Sequence, residues 1–243
     1  MNRDILRQLV VKELRESLSG LALGLFLLGT FTAVAVQSRL IPDQIVIVIL
    51  ALMSIVLAIL WGMSPIGSER QQGTMGMLLS LPIAAWQVLL VKIGVALACV
   101  LLPVFLSWCL FTSLAGGREL ENAFINQAYF GMGLLNVVCL IWTICLGIRQ
   151  PSEARVLMVV LGVFFGGWAL LALISQLHLL PTSNIRHLFL LTPIGLLTFC
   201  IEDSFSAYER NMVMQSMIAN ALVIILLFVY AGYQLNRPNR TRG

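Results

Sequence analysis

Long runs of apolar residues alternate with short polar stretches along this chain. A membrane-spanning helix needs about 20 mostly apolar residues, and six segments approach or exceed that length. They are Gly20–Val36, Ile45–Pro65, Val88–Leu114, Ala128–Ile148, Val156–Gln176 and Met212–Leu235. No alternating ten-residue pattern is visible, and a helix satisfies its own backbone groups in lipid, so helices are favoured over strands. The pattern predicts an all-α, polytopic membrane protein with six transmembrane helices, forming a single transmembrane domain over residues 1–243.

Composition supports a membrane protein and excludes other classes. Hydrophobic residues make up 59% of the 243 positions and charged residues 11%, whereas soluble domains have roughly 45–50% and roughly 25%. The mean hydropathy is +0.95. The net charge of +4 is divided among loops and ends, so we expect no nucleic-acid partner. Four of the five cysteines fall inside apolar runs, which argues against a disulfide framework.

The distribution of basic residues predicts the orientation, because cytoplasmic loops carry an excess of Lys and Arg. A cytoplasmic N-terminus puts eleven of the fifteen on the inner side and leaves four outside. The outer four are Arg39, Arg118, Arg186 and Arg210. We therefore predict a multi-pass protein of the cell inner (plasma) membrane with both termini cytoplasmic.

Two flanking segments have patterns of their own. In residues 1–18 an apolar arc opposes most of the polar residues, which favours a cytoplasmic interfacial helix over a plain charged lead-in that sets the topology. Residues 177–211 form a long external loop containing the apolar stretch His187–Phe199. That stretch is too short to span a bilayer, so we predict a re-entrant or external helical segment before the last span.

The cytoplasmic segment 67–87 lies between the second and third spans. Ser68 and Gln71 have the spacing of a capping box, and Pro82 predicts where the helix ends. Met75, Leu78 and Leu79 form an apolar ridge at helical spacing. Such a face suits either docking into a groove on a partner or lying on the membrane surface.

This segment resembles the signature of type-2 ABC transporter permeases, the membrane subunits of ABC exporters. In that family a Glu near the end of span two precedes a Gly-Thr pair, a Leu run ending in Leu-Pro, and a Lys near the start of span three. The chain supplies Glu69, Gly73, Thr74, Leu78, Leu79, Leu81, Pro82 and Lys92. It departs from the usual pattern at Met75 and Gly76, which replace a helix-favouring Leu-Glu, and Gly76 costs roughly 1 kcal/mol of helix stability relative to Ala.

The resemblance implies that segment 67–87 is a coupling helix that docks in a cleft of a separate ABC ATP-binding subunit. The implied contact residues are Glu69, Gly73, Thr74, Met75, Leu78, Leu79, Leu81 and Pro82. Glu69 would orient the turn or pair with a basic residue. The partner would bind ATP and Mg, since this chain has no Gly-x-x-x-x-Gly-Lys-[Ser/Thr] motif, and a second permease copy or paralogue would complete a dimer.

The function implied is outward transport of an amphipathic or lipid-like substrate such as a drug, peptide or lipid-linked compound. The chain would be a transporter subunit rather than an enzyme, with no cofactor, metal or catalytic residue of its own. Two alternatives remain open: a non-transport membrane assembly or scaffold protein, and a haem-exporter-like subunit of cytochrome maturation.

The predicted spans contain few polar groups. Lys92 is the one ionisable residue within them, and we expect it to extend to the cytoplasmic interface. Among the neutral polar residues, Asn136, Thr143 and Asn220 are candidates for lining a path, the alternative being interhelical hydrogen bonds. Pro103 predicts a kink in span three. Gly162 and Gly166 predict close packing within the chain, or alternatively a dimer contact.

Overall fold

The structure is a computed structural model, and it describes residues 2–38, 42–71, 84–114, 122–148, 150, 152–177 and 207–236. These residues form six helices. They are α1 (Asn2–Ser38), α2 (Asp43–Gln71), α3 (Ala85–Leu114), α4 (Asn122–Gly147), α5 (Glu153–Gln176) and α6 (Ala207–Asn236). The predicted all-α class is confirmed for this part of the chain.

Five of the described helices are long and apolar enough to cross a membrane, judged by length and composition. The qualifying stretches are Asp4–Ser38, Asp43–Met63, Trp86–Leu114, Phe124–Gly147 and Met214–Gln234. Helix α5 coincides with the predicted span Val156–Gln176, and its crossing of the membrane stays a prediction. The described residues therefore have the architecture of a helical membrane protein.

Helix α4 lies at the centre of the bundle. It packs against α2, α3, α5 and α6, while α1 packs mainly on α3. In α4, 61% of the most apolar window is buried, against 17% in α6. The outward face of α6 carries Met214, Leu222 and Leu226, all exposed. A row of exposed apolar side chains is stable against lipid and costly against water, which agrees with the membrane class.

The buried apolar side chains form two main clusters, one after the other along α4. One cluster joins Leu28, Leu50, Phe111 and Met132 from four helices. A second cluster joins α4 to α3 and α6 further along, and includes Leu140 and Ile144. The two clusters follow one another along α4, so this helix contributes to the core over most of its length.

Helices α1 and α3 run parallel with a constant offset over much of their length. Glu13 meets Lys92, 79 positions later in the chain. Leu9 packs on Val88 with the same offset, and so does Gly24 on Pro103, whose ring carbon would lie 3.3 Å from an added Cβ at Gly24. Pro103 thus lies inside α3, as the sequence indicates, and the predicted kink there stays a prediction.

Two helix boundaries that local signals suggested are absent from the described helices. Residues 1–18 were predicted to form an interfacial helix, and Asn2–Ser38 is one helix with no boundary near Gly20; the place of its first part in the membrane interface stays a prediction. Ser68 was expected to begin a new helix, but α2 continues through Gln71. In α1 the Glu13 side chain is buried against α3, and in α2 the Glu69 side chain is buried against α1 and α3, so each helix continues where the sequence pattern suggested a break.

The small residues of α5 do not pack against the part of the chain that the structure describes. An added Cβ at Gly162, Gly166 or Gly167 would meet no atom of the described residues within 4 Å, so close packing of these glycines, within the chain or in a dimer, stays a prediction. Close packing occurs instead at Gly62 of α2, where an added Cβ would lie 2.6 Å from Cβ of Thr143. The predicted external segment 177–211 lies, apart from its ends, outside the described residues.

Candidate functional site at the charged end of the bundle

Five charged residues meet where α1, α2 and α3 come together. We call this set the charged cluster: Lys12, Glu13 and Glu16 of α1, Glu69 of α2 and Lys92 of α3. The Lys92 Nζ lies 2.6 Å from Oε1 of Glu13 and 3.1 Å from Oε1 of Glu69. A single ammonium therefore joins carboxylates from two other helices.

The inner part of the charged cluster is almost completely buried. The side chains of Lys92, Glu69 and Glu13 are 2%, 4% and 7% exposed. Charged groups are almost never this buried unless they are paired. Lys92 was expected to extend to the interface, and that expectation is wrong. Its ammonium points into the bundle because it contacts the Glu13 and Glu69 carboxylates there.

Lys12 closes the cluster from the outer side. Its Nζ donates a hydrogen bond to Oε1 of Glu69 at 3.0 Å and lies 3.8 Å from Oε1 of Glu16. Its side chain is 45% exposed, so this contact is partly solvated. Glu69 thus accepts from two ammonium groups, one buried and one at the surface.

The local sequence explains how the buried pair forms. Glu13 lies one helical turn after Leu9 on α1, and Lys92 lies one turn after Val88 on α3. Leu9 and Val88 pack together nearer the helix starts. Because the helices are parallel, the next turn brings Glu13 and Lys92 face to face. The apolar pair also covers the ion pair on the side of the helix ends.

The sequence pattern singled out Glu69 and Lys92, and the structure brings them into contact across 23 positions. It did not single out Glu13. A signal was present, because Glu13 follows Leu9 by four positions and so falls in line with the apolar arc. A charged residue in such a line indicates a partner inside the bundle.

The other residues of the predicted coupling segment lie outside the described residues. These are Gly73, Thr74, Met75, Leu78, Leu79, Leu81 and Pro82. Of the implied contact residues, Glu69 is the one that the structure describes, and it belongs to the charged cluster near the described end of α2. It ties this end of α2 to both α1 and α3.

The three candidate path residues are all buried but do not form one site. Thr143 donates to the carbonyl of Cys139 at 2.7 Å, and Asn220 donates to the carbonyl of Ser216 at 2.9 Å, each within its own helix. Both amide atoms of Asn136 are buried without a hydrogen-bond partner among the described residues. The predicted path through them stays a prediction.

Interhelical hydrogen bonds instead join three other hydroxyl groups. Ser107 of α3 lies 2.8 Å from the Thr32 hydroxyl of α1 and 3.0 Å from the Tyr129 hydroxyl of α4. This chain of hydroxyls is at the end of the bundle opposite the charged cluster. Nothing in the sequence pattern singled out Tyr129 for a hydrogen bond, because its position is that of an aromatic core residue.

Comparison with known proteins adds no assignment to this geometry. No protein-family model matches the chain, and no curated protein matches it significantly. The class defined by the fold is therefore a helical membrane protein with a buried charged cluster at one end.

Proposed function

We propose that this chain is the membrane-spanning permease subunit of an ATP-driven ABC exporter. The observation that carries the proposal is the 3.1 Å contact between Lys92 and Glu69. These are the two charged residues of the family-like pattern, and they meet although 23 positions separate them. If the match to the family pattern were due to chance, there would be no reason for its two charged residues to contact each other inside the bundle.

The position of the pair gives it a mechanical role in the proposal. Glu69 lies two residues before the end of described α2, and the predicted coupling segment follows directly. A partner that pushes on this segment would move the end of α2. Because Lys92 links Glu69 to Glu13, the movement would pass to α3 and α1 together rather than to α2 alone.

The finer features of the proposal rest on the sequence pattern. The transporter would have six spans with both termini in the cytoplasm of the inner (plasma) membrane. Two permease chains would enclose the path, and two copies of a separate ATP-binding subunit would supply ATP hydrolysis. An amphipathic or lipid-like substrate moving outward suits an interior in which charge is confined to the cluster at one end of the described bundle.

Co-purification tests the proposal. The tagged chain is expressed with the candidate ATP-binding subunit from its own genome, and retention of that subunit is measured after solubilisation. The test variant changes Met75, Leu78 and Leu79 to Asp. A matched control changes Leu188, Leu190 and Leu191 to Asp, which makes three equivalent substitutions on the predicted opposite side of the membrane.

The proposal expects wild type and the control to retain the ATP-binding subunit and the test variant to lose it. Size-exclusion profiles of the chain alone show that each variant is folded. If the test variant retains the subunit as well as wild type does, docking occurs elsewhere and the coupling segment is misassigned. If folded wild type retains no ATP-binding subunit, the permease proposal fails.

A further inference from the structure

A groove runs between α3 and α4 at the end of the bundle opposite the charged cluster. Its volume is about 430 Å³, within the range of small-molecule sites. Phe105 and Phe130 form its outer edges, and each is 59% exposed. The groove therefore opens sideways, toward the medium around the bundle rather than toward another described helix. Its remaining lining is almost entirely apolar: Leu101, Val104, Trp108, Asn126, Tyr129, Gly133, Leu134 and Val137.

The groove has the length of one leaflet. Along α4 it extends from Asn126 to Val137, and eleven steps at about 1.5 Å give roughly 16 Å. Half of a hydrocarbon core about 30 Å thick is about 15 Å. Asn126 lies near the start of the candidate span Phe124–Gly147 and Val137 near its middle. The groove thus reaches from one membrane surface to the bilayer centre.

The two ends of the groove differ in polarity. At the membrane-surface end the Trp108 indole N–H donates to Oδ1 of Asn126 at 2.9 Å. A Trp at this depth is typical of the interface between hydrocarbon and headgroups. At the inner end the lining residues are Leu101 and Val137. An amphiphile with its polar group at the surface and its chain pointing inward matches this gradient.

Hydrogen bonds hold the walls of the groove in place. The Tyr129 hydroxyl is bonded to Ser107 and, through it, to Thr32, while Trp108 is fixed by Asn126. Gly133 leaves the floor open, since an added Cβ there would meet no atom of the described residues within 4 Å. The groove is therefore formed before anything enters it, which lowers the cost of binding.

We propose that this groove binds one acyl chain of a phospholipid from the leaflet opposite the charged cluster. The apolar walls contact the chain on three sides, and the Trp108 and Asn126 pair lies beside the headgroup end. A linear, flexible chain fits a narrow groove one leaflet long, and an unfilled groove would forfeit dispersion contacts along its walls. This proposal does not depend on the transport function, because it concerns a lipid site that any role of the chain would retain.

Quenching of Trp108 fluorescence by brominated lipid tests the proposal. Trp61, Trp86, Trp142 and Trp168 are changed to Phe, and the purified chain in detergent is titrated with a phospholipid brominated on its acyl chains. We expect saturable quenching at about one lipid per chain. Bromine near the headgroup end of the chain should quench more strongly than bromine at the chain terminus.

Gly133→Phe is the blocking variant, and Gly94→Phe on α3 is its matched control, since an added Cβ at either glycine meets no atom of the described part of the chain within 4 Å. Gly133→Phe should weaken lipid binding at least tenfold, and Gly94→Phe should leave it unchanged. Non-saturable quenching, an equal effect of the two variants, or the reverse bromine order would overturn the proposal. A change of oligomeric state caused by Gly133→Phe in the absence of added lipid would also overturn it, because the groove would then contact a second copy of the chain.

A measurement on the wild-type chain guards against misfolding of the variants. A phospholipid with a photoactivatable group near the carbonyl end of its chain is added to the purified protein, and the crosslinked peptides are mapped. Adducts concentrated on residues 101–108 and 126–137 support the proposal. Adducts spread evenly over the exposed faces of α1 and α6 would refute it.

Discussion

Replacing Lys92 with Met should destabilise the bundle strongly, because it removes the ammonium between two buried carboxylates. At an effective dielectric constant of about 20, charges 2.6 and 3.1 Å apart attract by roughly 6 and roughly 5 kcal/mol. Desolvation offsets much of that attraction, and breaking a buried pair typically costs about 3–5 kcal/mol in stability. Most of this loss comes from Glu13, which is left without Lys92, whereas Glu69 keeps its contact with Lys12 at 3.0 Å.

The assay is reversible unfolding of the detergent-solubilised chain by titration with a denaturing detergent, followed by circular dichroism. We expect Lys92→Met to lower the free energy of unfolding by about 3–5 kcal/mol. Lys12→Met is the control, because its side chain is 45% exposed and exposed pairs contribute only about 0–1 kcal/mol. The two substitutions are similar in size and remove the same charge.

A double substitution separates loss of the charge pair from loss of packing. Glu13→Gln combined with Lys92→Met leaves no unpaired carboxylate beside Leu9, so the double variant should be more stable than Lys92→Met alone. Equal destabilisation by Lys92→Met and Lys12→Met would refute the reasoning. So would additive losses in the double variant, since the two groups would then not interact.

The same unfolding assay checks three further predictions. Ser107→Ala should lower the free energy of unfolding more than Thr32→Val does, because Ser107 takes part in two interhelical hydrogen bonds and each is worth about 0.6 kcal/mol. Equal losses would contradict the chain of hydroxyl groups. Gly62→Ala should cost about 1–3 kcal/mol through overpacking, since its Cβ would lie 2.6 Å from Cβ of Thr143. Gly94→Ala is the control and should be neutral. Similar losses in the two variants would contradict the close contact between Gly62 and Thr143. Asn136→Leu should be neutral or stabilising, because its buried amide has no hydrogen-bond partner among the described residues, and such an amide costs about 1–3 kcal/mol. A clear loss of stability would contradict this prediction.

The sequence alone was sufficient for the helices and for the membrane class. A run of about 20 apolar residues in lipid must satisfy its backbone internally, and a helix does so without reference to the rest of the chain. The predicted spans Ile45–Pro65 and Val88–Leu114 accordingly fall within α2 and α3, and Ala128–Ile148 lies in α4 except for its last residue. The ends were less predictable, because α1 and α2 continue past the residues at which local signals suggested a break.

Only the tertiary structure decided which polar residues meet. Glu13 and Lys92 pair because α1 and α3 run parallel with an offset of 79 positions, and no local pattern encodes that offset. The packing of α4 on α3 likewise brings Tyr129 to Ser107, which in turn contacts Thr32 of α1. Hydropathy reports how apolar a segment is, whereas the partner of a buried charge depends on how the helices are arranged around one another. The sequence thus determined that helices cross a membrane, and helix packing determined where their charges and hydroxyl groups come together.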